Sequence, residues 1–253
     1  MNASAVFEKK DGPVIGGKGI DAGFLKILTL ILMIFDHAIV VFVPQTDLVL
    51  WNVLRVPGRI CAPVMCYLVA EGFRYTHDLK KYALRLFIFA VISHAAYNLC
   101  FYGKVFYRAT SMMWGLFLGL AALYFVKLDI SKKIKNKVLI VLIKLAVLGV
   151  CCLLARDADW NYIGVLWIVA FGIFAGNRKY QLVSFAAVSV LFWAQTYVHF
   201  GFSHLYQLGI VLFIPLFLMY NGTRGIKSKA FSLLFYVLYP VHLLILWALH
   251  LIF

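Results

Sequence analysis

FLKILTLILMIFDHAIVVFV, residues 24–43, decides the fold class of this chain. As a helix this run is about 30 Å long, which matches the hydrocarbon core of a bilayer. No small-residue cleavage site follows it, so we expect a retained membrane helix rather than a signal peptide. Asp36 and His37 lie inside the run, where an ionisable group is costly unless it has a partner or faces a cavity.

The rest of the chain repeats this apolar pattern. Of 253 residues, 64% are hydrophobic and 13% are charged, and the mean hydropathy is +0.92. A bilayer solvates that much apolar surface, whereas one soluble core does not. We therefore predict an all-α, polytopic transmembrane bundle, with a polar segment at 1–23 and one membrane-embedded domain at 24–253. The runs predict about nine spans: 24–43, 51–72, 82–102, 111–126, 138–155, 161–176, 181–199, 204–220 and 230–253.

The basic residues indicate an orientation. Alternate loops hold most of them: Lys9, Lys10 and Lys18; Arg74, Lys80 and Lys81; Lys127, Lys132, Lys133, Lys135 and Lys137; Arg178 and Lys179; Arg224, Lys227 and Lys229. The opposite loops hold only Lys104, Arg108 and Arg156. This bias predicts a cytoplasmic N-terminus. It also accounts for the net charge of +14 without a nucleic acid, which we do not expect as a partner.

The five cysteines, Cys61, Cys66, Cys100, Cys151 and Cys152, lie in or beside apolar runs. Their number is odd and no CxxC pair occurs, so the sequence favours small buried side chains over a disulfide framework. The same pattern gives no zinc ligand set, and we predict no metal site.

Polar residues inside the spans are candidates for function. They are Lys26, Asp36, His37, Arg55, Arg59, Glu71, Arg85, His94, Asn98, Lys144 and His242. Lys26 and His37 are 11 positions apart, so they share a helix face within about 20° and are separated by about 16 Å along the axis. Asp36 points about 100° away from His37. It is therefore a poor orienter for His37, and we expect it to pair with Arg59 at similar depth.

Structural alternatives stand beside these candidates. In the structural alternative for Lys26, Arg85 and Lys144, the charged end of each side chain extends to the headgroups. His94 and Asn98 are four positions apart on one helix face, and they suit interhelical hydrogen bonding as well as a site. His242 follows Tyr239-Pro240, where it suits a helix kink.

At these residues the chain resembles the TraX family, whose best-known member acetylates the N-terminus of conjugative pilin. The matching segments are LKILTLILMIFDH at 25–37, LRVPGRICAP at 54–63, EGF at 71–73, KYALRL at 81–86, IS at 92–93 and FYVLYPVHLL at 235–244. Similar integral-membrane acyltransferases carry a basic residue, ten residues and then histidine in their first helix, and Lys26 and His37 fit that spacing. One departure is His94, which stands where an acidic residue is more usual.

The resemblance implies an acyltransferase-like domain in the bacterial inner membrane. It implies acetyl transfer from cytoplasmic acetyl-CoA to the amine or hydroxyl of a peptide, a pilin or a glycan outside. His37 is then the expected general base, with Arg59 or Asn98 as the oxyanion donor and Asp36 holding Arg59. Lys26, Arg85, Lys81 and Arg55 are the expected residues for the acetyl-CoA phosphates.

Two other classes fit the same buried charges. A transporter or channel would line a path with them, although neither inverted repeats nor broken helices are evident in the sequence. A non-catalytic component of a pilus or conjugation assembly would use them for stability alone.

Overall fold

The structure is a computed structural model that describes residues 19–226 and 228–252, without the Lys229 side chain. Residues 1–18 lie outside the described residues, and with them most of the predicted polar segment and the predicted cytoplasmic charges Lys9, Lys10 and Lys18. Lys227 also lies outside.

Within the described residues every regular element is a helix, which confirms the all-α class. The helices are α1 Ala22–Phe42, α2 Leu48–Arg55, α3 Cys61–Tyr75, α4 Leu79–Tyr102, α5 Met112–Lys127, α6 Lys137–Leu154, α7 Asn161–Ile173, α8 Arg178–Phe200, α9 Phe213–Met219 and α10 Lys229–His250. Two 3-10 segments, Pro57–Ile60 and Gly201–Leu212, continue α2 into α3 and α8 into α9.

Short polar side chains begin most of these helices. The first turn of a helix leaves backbone N–H groups without partners, and an Asp, Asn or Ser just before it accepts from them. This arrangement occurs at Asp21, Asp47, Asp78, Asn136, Asn177 and Ser228. The helix starts therefore follow from local sequence, as the apolar runs between them do.

The expected count of about nine spans is not reproduced as nine separate helices. Among the described residues, six helical runs are long and apolar enough to cross a membrane, and two shorter apolar helices, Met112–Lys127 and Asn161–Ile173, accompany them. The difference arises because the predicted seventh and eighth spans form one run, Arg178–Met219. The 3-10 segment Gly201–Leu212 joins the two halves of that run.

That long run nevertheless folds back on itself. Gly201 has a φ of +57°, and His204 has non-helical backbone angles. The guanidinium of Arg178, at the start of α8, donates to the carbonyl of Leu218, in the last turn of the run, at 3.4 Å. Both ends of the run therefore lie at the same face of the bundle.

Contacts between loops show that the helices alternate in direction. Ile20 pairs with Tyr220, and the Lys127 ammonium donates to the Ile173 carbonyl at 3.2 Å. We call the face that holds these contacts the basic face, because the loops rich in Lys and Arg lie there. Thr110 pairs with Ala158 at the other end of the bundle, which we call the opposite face.

The interior is filled by aromatic rings and by closely approaching helices. Trp167, Phe171, Phe185, Phe213 and Phe217 are fully buried, and they join α7, α8 and α9. Gly119 on α5 and Gly172 on α7 face Ile168 and Leu123, where a Cβ atom would overlap those side chains. Small residues of this kind let membrane helices pack closely. Helix α10 lies between α1 and α4 and contacts both.

Candidate functional site

Asp36 and His37 are neighbours in α1 that face different partners. Both are buried, with 3% and 8% of their surface exposed. The Asp36 carboxylate meets two arginines from α2 and the 3-10 segment after it. The His37 ring meets α4 and α10. Two adjacent residues therefore begin two separate polar networks, as their difference of about 100° in helical phase predicts.

In the Asp36 network, one buried carboxylate forms ion pairs with two arginines. Arg55 binds both carboxylate oxygens of Asp36 through Nε and Nη2, each at 3.0 Å. Arg59 donates from Nη2 to the same carboxylate, which confirms the expected contact between Asp36 and Arg59. Arg55, which was expected among the residues for acetyl-CoA, binds Asp36 through its guanidinium in this structure.

Aromatic rings enclose the two guanidinium groups. Arg55 lies 4.6 Å from the Tyr206 ring and 5.4 Å from the Trp51 ring. Arg59 lies 5.2 Å from both the Tyr206 and the Trp160 ring. Rings at these distances attract the cations, and the attraction is stronger where water is excluded. The enclosure therefore offsets part of the cost of burying the cluster.

His37 is hydrogen-bonded to His242 of α10, with 2.8 Å between His37 Nδ1 and His242 Nε2. The other ring nitrogen of His242, Nδ1, lies 2.8 Å from the Leu238 carbonyl oxygen. A carbonyl only accepts, so His242 carries its proton on Nδ1 when neutral and accepts on Nε2. His37 then donates from Nδ1. Its Nε2 therefore carries a lone pair in the neutral pair.

The histidine pair lies where three helices meet. Phe101 of α4 packs edge-on against His37 at 5.3 Å between ring centroids, and Tyr239 of α10 lies at 6.5 Å. The Tyr239 hydroxyl is buried and makes no hydrogen bond within the described residues. Apolar and aromatic groups thus hold the pair in place.

His94 and Asn98 contact each other on α4, as their spacing predicts. The Asn98 amide nitrogen lies 3.2 Å from His94 Nε2, and it also donates to the Tyr107 carbonyl at 3.5 Å. Asn98 is fully buried. Within the described residues neither side chain hydrogen-bonds to His37 or stacks on it, so the structure does not group Asn98 with the histidine pair.

Apart from Arg55, the expected cofactor residues lie toward the basic face, on the two helices that flank α10. Lys26 is half-buried on α1 and within electrostatic reach of Arg224. Arg85 on α4 lies beside Tyr236 of α10. Lys81 is 78% exposed and forms an ion pair with Asp78 at 3.2 Å.

Lys81 acts on Asp78 through its backbone as well. Its N–H donates to the Asp78 carboxylate at 2.9 Å, and this bond, with the ammonium beside it, holds the pKa of Asp78 below its ordinary value. The contact begins α4. This contact gives Lys81 a structural role that needs no ligand.

A cavity of about 310 Å³ opens at the opposite face. Its lining includes Tyr97 and Tyr102 of α4 together with Asp157 and Asp159 of the loop before α7. A second, much smaller cavity lies beside Cys66. His37 lines neither of these two cavities. The larger one approaches it through Tyr97 and Phe101, whose ring centroids are 5.0 Å apart.

The sequence did not identify several members of this site. His242 was considered as a kink residue, although its place in the YPVHLL segment and its depth put it near His37. Tyr206 and Trp160 gave no signal, because aromatic residues are common throughout the spans. Asp159 lies in a loop, where hydropathy does not mark a carboxylate as unusual.

The fold and these networks define a multi-pass helical membrane protein with a buried histidine pair and a buried carboxylate–diarginine cluster. The chain belongs to the TraX family, since the family model for TraX protein matches residues 22–250. It is similar to the probable fimbrial assembly protein FimC, serogroup H1, of Dichelobacter nodosus. The two are 27% identical over 239 residues, which cover 88% of this chain and 92% of the relative. No solved structure matches the chain.

Proposed function

We propose that the protein is a membrane-embedded acetyltransferase that moves an acetyl group from cytoplasmic acetyl-CoA to an acceptor on the other side of a bacterial inner membrane. The observation that carries the proposal is the hydrogen bond from His37 to His242, which leaves His37 Nε2 as an available base. Membership of the TraX family supports it. The name of the FimC relative supports a role in pilus assembly, with a pilin or another peptide as acceptor and a glycan as the second candidate.

The proposed step uses His37 as general base. The acceptor amine or hydroxyl attacks the thioester carbonyl, and His37 Nε2 takes the proton of the attacking group. The new C–N or C–O bond forms, the C–S bond breaks, and His37 returns the proton to the departing thiolate. The charge that develops on His37 is shared with His242 through the Nδ1–Nε2 hydrogen bond.

Arg59 fits the oxyanion role better than Asn98 does. The Nε atom of Arg59 is buried and has no hydrogen-bond partner among the described residues, so one N–H remains available. The Asn98 amide nitrogen is already engaged by His94 and Tyr107, and its Oδ1 atom only accepts. A positioned donor of this kind stabilises the tetrahedral intermediate.

The route for acetyl-CoA follows the seam between α1, α10 and α4. Lys26 lies on the same stripe of α1 as His37, about 16 Å closer to the basic face. Arg85 flanks the seam from α4, beside Tyr236. Cations at the cytoplasmic end of this seam suit the nucleotide phosphates, and the thioester then extends along it toward His37. Because Lys81 is ion-paired and exposed, we assign it a smaller part.

Transfer of labelled acetyl groups tests the proposal. Purified protein in detergent or liposomes is mixed with radiolabelled acetyl-CoA and a short peptide with a free N-terminus. Wild-type protein labels the peptide, and His37→Ala abolishes labelling while the protein keeps its helical content. His250→Ala, at the exposed end of α10, serves as the control and retains activity. Wild-type turnover by His37→Ala overturns the assignment of His37 as base.

A further inference from the structure

A lysine lies well inside α6, on the side of that helix that packs on the bundle. Lys144 follows Lys137, the first residue of α6, by about 10 Å along the helix axis. The stripe of α6 to which it belongs also holds the buried or half-buried residues Ile140, Ile143, Val147, Leu148 and Cys151. An ionisable group at this depth is costly unless it has a partner.

The neighbour of Lys144 is a second lysine, Lys127, the last residue of α5. The two ammonium groups are within electrostatic reach of each other, and both side chains are half-buried. Lys127 donates to the Ile173 carbonyl at 3.2 Å, which uses one of its three N–H groups. No carboxylate lies within 4.0 Å of either ammonium in the described part of the chain. Two like charges therefore lie side by side here, and the protein supplies no close counterion.

Asp129, the acidic residue of the loop between α5 and α6, does not neutralise this pair. It is within electrostatic reach of Lys144, but it is exposed and its carboxylate accepts the Ser131 N–H at 2.9 Å. The same loop and the start of α6 add further exposed lysines: Lys132, Lys133, Lys135 and Lys137. Positive charge is therefore in excess around Lys127 and Lys144, which favours an anionic partner.

The outer side of α6 offers an apolar surface next to these lysines. Val141, Leu142 and Leu145 lie there, and each is more than half exposed. Acyl chains that pack along this surface bring the attached headgroup to the basic face, where the flexible stem of a lysine lets its ammonium reach it. The apolar surface and the paired ammonium groups therefore match the two parts of one phospholipid.

We propose that Lys127 and Lys144 bind the phosphate of an anionic phospholipid whose acyl chains lie along the exposed side of α6. The phosphate oxygens accept charge-assisted hydrogen bonds from both ammonium groups and offset their mutual repulsion. Phosphatidylglycerol adds no positive charge to this arrangement, whereas phosphatidylethanolamine adds an ammonium that the lysines repel. The site therefore selects anionic over zwitterionic headgroups. It lies on α5 and α6, away from the histidine pair of α1 and α10, and it requires no acetyl transfer.

Native mass spectrometry of the full-length protein in detergent measures this binding. The probes are phosphatidylglycerol and phosphatidylethanolamine with identical acyl chains, each titrated to give a Kd. We expect wild-type protein to bind phosphatidylglycerol roughly ten-fold more tightly, and Lys144→Gln to weaken that binding about five-fold. The double variant Lys127→Gln/Lys144→Gln loses the preference, whereas Lys144→Arg keeps the charge and most of the binding.

Lys179→Gln, an exposed lysine at the start of α8 on the same face, is the charge-matched control and keeps the preference. Inorganic phosphate and acetyl-CoA are added as competitors, and we expect neither to displace the lipid. Equal binding of the two lipids by the wild type, or unchanged binding by folded Lys144→Gln protein, overturns the proposal. Displacement by inorganic phosphate or by acetyl-CoA also overturns it, since the groove would then hold a soluble phosphate and not a lipid.

Discussion

His37 Nδ1 on α1 lies 2.8 Å from His242 Nε2 on α10, so two histidines 205 positions apart share one hydrogen bond inside the bundle. The Leu238 carbonyl fixes the tautomer of His242, and His242 fixes that of His37. The arrangement follows the logic of a catalytic dyad, in which one group orients a base and shares its charge. Asp36, the immediate neighbour of His37, belongs to a different network.

His242→Ala is expected to lower the rate of acetyl transfer without changing the KM for acetyl-CoA. The variant loses the acceptor for His37 Nδ1–H, so the His37 ring is free to rotate and to exchange tautomers. A positioned base contributes about 10²–10⁴-fold to a rate, and loss of its orienter removes roughly 10- to 100-fold of that. Steady-state kinetics with labelled acetyl-CoA measure both parameters.

His242→Gln separates orientation from packing. The glutamine side-chain oxygen accepts a hydrogen bond from His37 Nδ1, so this variant recovers a measurable part of the activity that alanine loses. If His242 had a merely structural role, proteins of equal activity would have equal stability. Glutamine would then bring no recovery of activity. Identical rates for the alanine and glutamine variants would count against the positioning role.

The sequence predicts those parts of the fold that depend on local pattern. Apolar length marked the runs that became helices, and depth within the membrane brought Asp36 and Arg59 together correctly. Helical phase within one helix is fixed by the covalent chain, so the divergence of Asp36 and His37 was predictable. The 3-10 backbone that joins the two halves of Arg178–Met219 was not, because hydropathy does not report it.

The partners of the site depend on tertiary packing, which hydropathy does not encode. Which face of α10 meets α1 decides whether His242 contacts His37, and either face of an apolar helix looks alike in the sequence. Arg55 shows the same limit, since its spacing from Arg59 was clear but its bidentate contact with Asp36 was not. Asp159 is a loop residue, and only the structure shows that it lines a cavity.

Asp36→Asn is expected to destabilise the fold as well as to lower activity. It leaves two guanidinium groups in a buried cage with one neutral partner, and breaking a buried ion pair in this way costs about 3–5 kcal/mol. We expect lower yield and a lower Tm, measured by thermal unfolding in detergent. Asp78→Asn, which breaks the exposed pair with Lys81, is the matched control and changes the Tm little.

A double-mutant cycle measures whether Asp36 and Arg59 stabilise each other. Arg59→Gln in the Asp36→Asn background removes one of the orphaned charges, so the double variant is expected to lose less than the sum of the two single losses. Additive losses in Tm would show that Asp36 and Arg59 do not stabilise each other.

Lys26→Gln is expected to raise the KM for acetyl-CoA with a smaller effect on kcat. Lys26 lies about 16 Å from His37 along α1, too far to touch the reacting atoms and placed to hold a phosphate near the basic face. The loss is expected to shrink as salt is added, because screening weakens the same contact in the wild type. Lys133→Gln provides the control, since Lys133 is an exposed lysine in the loop after α5, outside the proposed site. A Lys26→Gln variant with unchanged KM would remove Lys26 from the acetyl-CoA site.

Gly58→Ala tests how closely the 3-10 segment must approach α1. A methyl group at Gly58 would overlap the Cβ, Cγ and Oδ1 atoms of Asp36, and because Cβ is tied to the α1 backbone it has no room to retreat. Overpacking of this kind costs about 1–3 kcal/mol, and here it also moves the carboxylate away from its two arginines. We expect a lower Tm and weaker acetyl transfer. Gly149→Ala, on the open face of α6, meets no atom within 4 Å and leaves both unchanged or raises the Tm slightly, as a helix favours alanine over glycine. Equal Tm values for the two variants would show that the contact between Gly58 and Asp36 does not position the cluster.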